Sequence, residues 1–404
     1  MYYLIGKTLS HSHSPTIHRA FGQYDYDLLP LDEDALASFV QSDRYEGLNV
    51  TVPYKQAIIP YLDELSETAR RTGAVNTVVR RDGKLFGDNT DYLGFFAMAY
   101  RKGISFKDKK VVILGSGGTS HTVEALVRDL GAKETVVISR TGENNYGNIS
   151  LHSDADILVN TTPVGMYPNN GAAPLSLKSF PRLSGVLDVI YNPLRTALLQ
   201  EAEERGIPHA NGLYMLVAQA AVSCGLFGGN KPDQKEIDRV HRLLHKKVSN
   251  ITLVGMPGAG KSTVACLIAE KTGRTVVDTD KMIEEMFGKS PAIIIREEGE
   301  AAFRQKEHEA IVAAGKLSGV VISTGGGAVL TPENKAPLAQ NGPIVLLVRE
   351  LARLSTENRP LSDGADLTAM YRQRLPRYLS FAERSYDNNR TPAECADDII
   401  ADYL

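Results

Sequence analysis

The sequence predicts an α/β protein of more than one domain, built largely on parallel sheets. Three observations carry that prediction. At 404 residues the chain is well beyond the roughly 150 expected of one domain. Apolar runs of strand length alternate with amphipathic stretches of helix length along most of it. Glycine-rich turns follow apolar runs at two distant places, LGSGG at 114–118 and GMPGAGKS at 255–262, and a strand, glycine turn and helix in succession form the phosphate-receiving unit of parallel sheets.

From 1 to about 95, the runs YYLI, DLLPL and GLNVTV alternate with helical stretches, and AVNTVVRRDGKLFGD reads as a hairpin. From 110, KKVVILGSGG reads as strand and turn and HTVEALVRDLGA as helix, while ETVVISR, ADILVNTTP and GVLDVIY read as strands. NGLYMLVAQAAVSCGLF is long and apolar enough for a buried helix that crosses back to the first domain. GGNKPD at 228–233 is the strongest break, and the charged helix after it carries Ile237, Val240 and Leu244 on one face, so a linker is expected there. Beyond it NITLVG, RTVVDTD, GVVISTGGG and PIVLLV are expected strands of a further parallel α/β domain.

Charged residues make up 23% and hydrophobic ones 43%, the profile of a soluble globular chain, and a net charge of -3 offers no basic field for nucleic acid. Cys224, Cys266 and Cys395 are too scattered for a disulfide framework or a CxxC metal site. The opening residues lack a signal-peptide apolar core and no run of 18 apolar residues occurs, so no membrane partner and a cytoplasmic location are expected.

Gly255 to Ser262 fits G-x-x-x-x-G-K-[ST]. In such a loop backbone N–H groups face phosphate oxygens, here around Gly258, Ala259 and Gly260; Lys261 reaches the outer phosphates, Ser262 can hold Mg²⁺, and Thr263 opens into the helix. Asp278 and Asp280 in VVDTD are expected on one side of a strand end by alternation, facing the ligand crevice; the competing reading is that they cap the next helix. GEAAFR supplies Arg304 and STGGG supplies Gly325, Gly326 and Gly327, where backbone can approach a ligand.

GMPGAGKST, DTD, GEAAFR, TGGG and RPL, in this order and spacing, resemble shikimate kinase across essentially all of 250–404. The resemblance implies Asp278 near Mg²⁺, Asp280 on the shikimate hydroxyls as candidate base, and Arg304 with Arg374 on its carboxylate, the three glycines lining the same pocket. It also implies Arg359 in a lid over ATP and Arg390 near the adenine. A guanidinium fork suits a carboxylate, and arginine from a lid suits charge on a transferring phosphoryl group. Two departures are the short segment before RPLS and Ile295, where the family often has phenylalanine.

In the first half, NVTVPYK sets Lys55 at a strand end and GDNTD sets Asp91 before a helix; such a pair can move a proton, the carboxylate keeping the ammonium charged and oriented. On residue types alone a pair of solvated surface charges remains open. SHSHSP, NVTVPYK, AVNT, GDNTD and LVAQAA together resemble shikimate dehydrogenase over about 1–245, which implies that Lys55 and Asp91 are the catalytic pair. It further implies that Ser12, Ser14, Asn49, Thr51, Asn76 and Gln219 bind the substrate and that Tyr191 closes the pocket. Buried substrate hydroxyls each need a partner, which small hydroxyl and amide side chains supply.

The first glycine turn, Gly115, Ser116, Gly117, Gly118, Thr119 and Ser120, keeps two fingerprint glycines and replaces the third by Ser120. After the next strand come Ser139, Arg140 and Thr141, with no acid for a ribose 2′-hydroxyl and an arginine for a 2′-phosphate, which favours NADP(H) over NAD; Asn144 stands near a second arginine common in the family. The expected architecture is a substrate-binding α/β domain (1–98 and 211–228), a Rossmann-like NADP domain (99–210), a linker helix (229–248) and a P-loop kinase domain with a parallel sheet (249–404). The expected chemistry is reduction of 3-dehydroshikimate by NADPH and phosphorylation of shikimate by ATP with Mg²⁺; a quinate-type dehydrogenase joined to another small-metabolite kinase is the alternative enzyme, and a binding protein with one inactive half the alternative outside catalysis.

Overall fold

The computed structural model describes residues 1–9, 12–22, 24–354 and 366–404. The chain divides into two compact units: Met1–Gly165, Ala173–Tyr191 and Leu198–Leu244 in one, and Met166–Ala172, Asn192–Ala197 and His245–Leu404 in the other. Among the described residues no helix is long and apolar enough to cross a membrane.

Unit one begins with β1 (Tyr2–Gly6), α1 (Ser14–Phe21), β2 (Tyr26–Pro30), α2 (Glu33–Val40), β3 (Gly47–Val50), α3 (Tyr54–Ala57), β4 (Glu64–Leu65), α4 (Glu67–Thr72), β5 (Thr77–Arg81) and β6 (Lys84–Asp88). These six strands form one sheet, ordered β2-β1-β3-β5-β6-β4. β1, β2 and β3 run parallel, whereas β5 is antiparallel to both β3 and β6, so the sheet is mixed. The expected hairpin is β5–β6, closed by Asp82 and Gly83 at φ 51° and 79°, the left-handed pair that matches strand twist.

α5 (Asp91–Arg101) leads into β7 (Lys110–Leu114), α6 (Gly118–Asp129), β8 (Glu134–Ile138), β9 (Ile157–Asn160), β10 (Gly185–Asp188), α7 (Ala197–Glu204) and β11 (His209–Ala210). This sheet is wholly parallel, ordered β11-β10-β9-β7-β8. β7 has β8 on one side and β9 on the other, so the connections diverge at its carboxyl end and open a crevice where the glycine turn sits. α8 (Leu213–Leu226) is apolar on nearly every side and packs against α1 and α5. α9 (Gln234–Val248) is the charged helix; it buries Val240, Leu244 and Val248, leaves Ile237 half-buried, and contains the division between the units at Leu244 and His245.

Unit two follows with β12 (Ile251–Val254), α10 (Lys261–Thr272), β13 (Val276–Asp278), α11 (Thr279–Phe287), α12 (Pro291–Glu298), α13 (Glu300–Gly315), β14 (Val321–Ser323), α14 (Lys335–Ala339), β15 (Ile344–Val348), α15 (Leu367–Phe381), β16 (Arg384–Asp387) and α16 (Pro392–Tyr403). The sheet is parallel, ordered β13-β14-β12-β15-β16, and β12 again lies between strands reached in opposite directions. The phosphate loop leaves the carboxyl end of β12 at that divergence. β16 went unread because RSYD has one buried side chain, Tyr386, as an edge strand permits. The alternation argument for Asp278 and Asp280 fails: β13 ends at Asp278, and Asp280 is the second residue of α11.

Candidate active sites

In unit one, α3 and the first turn of α5 bring two charges together: Lys55 Nζ lies 2.5 Å from Asp91 Oδ2, with side chains only 15% and 9% exposed. Asp91 opens α5, where the N-terminal partial positive charge favours a carboxylate. Lys55 Nζ also approaches Thr119 Oγ1 at 3.5 Å, and a Cβ on Gly118 would meet Lys55 Cβ at 3.6 Å. The glycine turn after β7 therefore rises beside the ion pair. Gly115 in that turn has φ 108°, a conformation that side chains oppose, and its absent Cβ would lie 2.8 Å from Thr161 Oγ1.

The polar residues expected to bind substrate and coenzyme belong to the same unit. Asn49 on β3, Asn76 just before β5 and Gln219 on α8 are all buried. Ser12 Oγ donates to Ser14 Oγ at 3.2 Å at the start of α1, and Thr51 follows β3 directly, its backbone N–H bonded to Ile5 O at 2.9 Å. The Tyr191 ring lies 6.0 Å from that of His13 between the two serines, and burial raises its phenol pKa above the ordinary value. Ser139 Oγ accepts from Gly142 N at 2.8 Å in the turn after β8, Arg140 and Thr141 are exposed, and Ser120 is buried in α6.

Unit two holds a cavity of about 460 Å³, lined by the phosphate loop on one side and by Asp280, Arg304, Gly325, Gly326, Gly327 and Arg374 on the other. Lys261 Nζ donates to the carbonyls of Gly255 and Met256 at 2.9 and 3.1 Å. Gly260 has φ 91°, and a Cβ there would lie 2.5 Å from Asn388 Nδ2, so the loop requires glycine. Ser262 Oγ lies 3.3 Å from Asp278 Oδ2, while Asp278 Oδ1 caps α11 by accepting from the backbone N–H of Asp280 at 3.0 Å. Asp278 thus caps the helix with one oxygen and has the other beside the Ser262 hydroxyl. A serine hydroxyl and a carboxylate beside a phosphate loop are a hard-oxygen set that fits Mg²⁺.

Arg304 Nη1 donates to Glu307 Oε2 at 2.6 Å and Arg304 Nη2 to Glu300 Oε1 at 3.0 Å. Arg374, 8% exposed, donates from Nη1 to Gly326 O at 3.2 Å, and Tyr378 O–H donates to the same carbonyl at 2.5 Å. Glu307 Oε1 and Arg374 Nε are buried without a hydrogen-bond partner among the described residues. Burial raises the Glu307 carboxyl pKa above its ordinary value, Asp280 adds to that, and Arg304 opposes it. An orphaned acceptor and an orphaned donor in one cavity suit a ligand that bears both hydroxyl and carboxylate groups.

Residues 4–78 match the shikimate dehydrogenase substrate binding domain and residues 257–403 match shikimate kinase. The shikimate dehydrogenase (NADP(+)) of Caldicellulosiruptor bescii is 40% identical over 248 residues, 54% of this chain and 85% of the relative. The chain belongs to the shikimate dehydrogenase family. Its second unit carries a shikimate kinase family domain. A shikimate dehydrogenase of Peptoclostridium difficile has a similar structure, with TM-score 0.57 and 35% identity over 60% of this chain and 97% of that one. The enzyme from Thermus thermophilus, solved with NADP(H) and shikimate, gives TM-score 0.55 and 31% identity over 60% and 98%.

Most of the residues expected for the kinase line its cavity. In the kinase domain Ile295 lines the cavity together with Phe303. Arg390 is not among the lining residues and pairs with Asp398 and, at 3.9 Å, with Glu394 on α16. Arg359 lies outside the described residues, as does the rest of RPLS. Sequence reading missed Glu307, which R-x-x-E spacing on one helix face beside Arg304 could have flagged, and Tyr378, four residues after Arg374. In the dehydrogenase it missed three buried hydroxyls: Thr77 and Thr90, which lie inside AVNT and GDNTD but were given no role, and Ser223, which lies outside every one of the family motifs.

Proposed function

We propose that the chain catalyses two consecutive reactions, reduction of 3-dehydroshikimate to shikimate with NADPH and transfer of the ATP γ-phosphoryl group to the 3-hydroxyl of shikimate. The observation that carries the first is the Lys55–Asp91 pair beside the glycine turn. The hydride for the ketone carbon comes from NADPH held on that turn, with Arg140 as the partner for its 2′-phosphate. Lys55 donates a proton to the oxygen as negative charge develops there, and Asp91 keeps the ammonium charged and aimed. Ser12, Ser14, Asn49, Thr51, Asn76 and Gln219 bind the ring substituents, and Tyr191 covers them.

For the second reaction, Lys261 would bind the phosphates, and Ser262 with Asp278 would hold Mg²⁺, which would offset the charge of the phosphate oxygens. Arg304 and Arg374 bind the shikimate carboxylate. Asp280 orients the attacking hydroxyl and can accept its proton; a loose transition state asks mainly for this positioning. The free donor on Arg374 and the free acceptor on Glu307 support a carboxylate polyol as acceptor.

A coupled assay tests both steps at once. The chain is given 3-dehydroshikimate and ATP, and ADP release is followed with and without NADPH. ADP that appears only with NADPH supports the reading, and ADP formation indifferent to NADPH refutes it. Offering shikimate, quinate or gluconate separately, with NADP⁺ for the oxidation and with ATP for the phosphoryl transfer, distinguishes the alternative pairing of enzymes.

A further inference from the structure

The three amide side chains assigned to the dehydrogenase substrate come from distant parts of the chain, yet Asn49, Asn76 and Gln219 meet over a buried cluster of hydroxyls from Thr77, Thr90 and Ser223. Ser223, one helical turn beyond Gln219 on α8, is fully buried and lies at the centre of this cluster. Its Oγ lies 3.0 Å from Asn49 Nδ2, 2.9 Å from Thr77 Oγ1, 3.1 Å from Thr90 Oγ1 and 3.2 Å from the carbonyl of Gln219.

Donor and acceptor accounting gives these contacts a direction. A hydroxyl has one proton and two lone pairs; an amide nitrogen only donates and a carbonyl only accepts. Ser223 Oγ therefore accepts from Asn49, and its proton is available to Gln219 O or a threonine. Asn49 Oδ1 accepts the phenol proton of Tyr26 at 2.8 Å, so Tyr26 holds one end of the amide while Ser223 and Thr77 hold the other. Thr90 Oγ1 in turn reaches Gln219 Oε1 at 3.2 Å and accepts from Asn76 Nδ2 at 3.0 Å. A serine at a buried helix site costs free energy relative to alanine unless its hydroxyl is used, and here it ties α8 to β3.

We propose that Ser223 is a positioning residue of the dehydrogenase, fixing the Asn49 amide and the Gln219 turn of α8 in the arrangement that receives the substrate ring. The inference rests on the reading that Asn49 and Gln219 bind substrate. Loss of one such hydrogen bond raises KM for shikimate about tenfold in the NADP⁺-dependent oxidation and leaves kcat within about twofold. A role confined to stability would lower Tm and leave KM alone.

The test compares Ser223→Ala, Ser223→Cys and Asn49→Ala in the full chain, measuring KM for shikimate, KM for NADP⁺, kcat and Tm. Cysteine keeps the volume but is a weak hydrogen bonder, so both Ser223 variants are expected to raise KM for shikimate alike without changing KM for NADP⁺. If Asn49→Ala raises that KM while neither Ser223 variant does, the positioning role is overturned and the substrate site stands. If Asn49→Ala leaves it unchanged, the site reading fails and the inference with it.

Discussion

Lys55 Nζ and Asp91 Oδ2, 36 residues apart in sequence, stand 2.5 Å apart where α3 meets the start of α5. Neither side chain is more than 15% exposed, so the contact is far more protected than an exposed surface pair. The pair predicts that Lys55→Ala lowers dehydrogenase kcat by about 10² or more, because the proton for the developing alkoxide is lost. Asp91→Asn should lower kcat in the same direction. Kinase turnover, measured on the same preparations with shikimate and ATP, should stay at the wild-type value; loss of both activities would point to misfolding and defeat the assignment.

The kinase side gives the mirror result. Lys261→Ala is expected to lower kinase kcat by about 10² or more while the NADP⁺-dependent oxidation of shikimate is unchanged. Asp278→Asn should weaken the response to added Mg²⁺, since one of the two candidate oxygen groups loses its charge. A Mg²⁺ titration of kinase rate that overlays the wild-type curve would refute the assigned metal site.

Strands, glycine turns and charged motifs were legible in the sequence because each depends on local pattern: VVIL before GSGG and ITLV before GMPGAGKS mark strand ends directly. Lys55 and Asp91 were legible as chemistry, although their contact is made by tertiary packing that no spacing discloses. The opposite holds for Asp280, which faces the cavity as alternation along a strand would require but is carried there by a helix begun at the Asp278 cap and not by a strand. Ser223 and Thr90 were illegible, since a hydroxyl within an apolar helix or at a helix start looks the same whether it caps, fills or connects. Glu307 fell between, with helical spacing that hinted at Arg304 but nothing that foretold burial.

Glu307 now yields its own prediction. It is the buried counter-charge of Arg304, which otherwise has the exposed Glu300. Glu307→Gln keeps the shape and removes the charge, so Arg304 is held less firmly, and KM for shikimate in the kinase assay should rise roughly tenfold with KM for ATP unchanged. Equal shikimate KM values for variant and wild type would show that Glu307 serves packing alone.

Arg140 is exposed at the end of β8, and Ser139 and Thr141 beside it carry no charge. Arg140→Ala should therefore raise KM for NADP⁺ about tenfold and leave KM for NAD⁺ almost unaltered, because only the former brings a 2′-phosphate. Parallel rises for the two coenzymes would indicate a distorted turn and count against a 2′-phosphate contact.

His18 supplies a pH dependence whose sign can be worked out. It is fully buried in α1, its Nδ1 2.6 Å from Tyr24 O–H and its ring stacked 4.0 Å from that of Tyr26, while Phe227 also packs near it. Burial lowers its pKa to about 3, well below the ordinary 6.5. Between those values the unfolded chain takes up a proton that the folded chain refuses, so stability is lost as pH falls through that window, by up to about 1.4 kcal/mol per pH unit. The expected result is a urea midpoint for loss of dehydrogenase activity that drops from pH 7 to pH 5. His18→Gln, which cannot titrate, should drop less steeply even if its midpoint at pH 7 is lower. Identical slopes for the two proteins would mean that other groups, and not His18, govern the acid sensitivity of this unit.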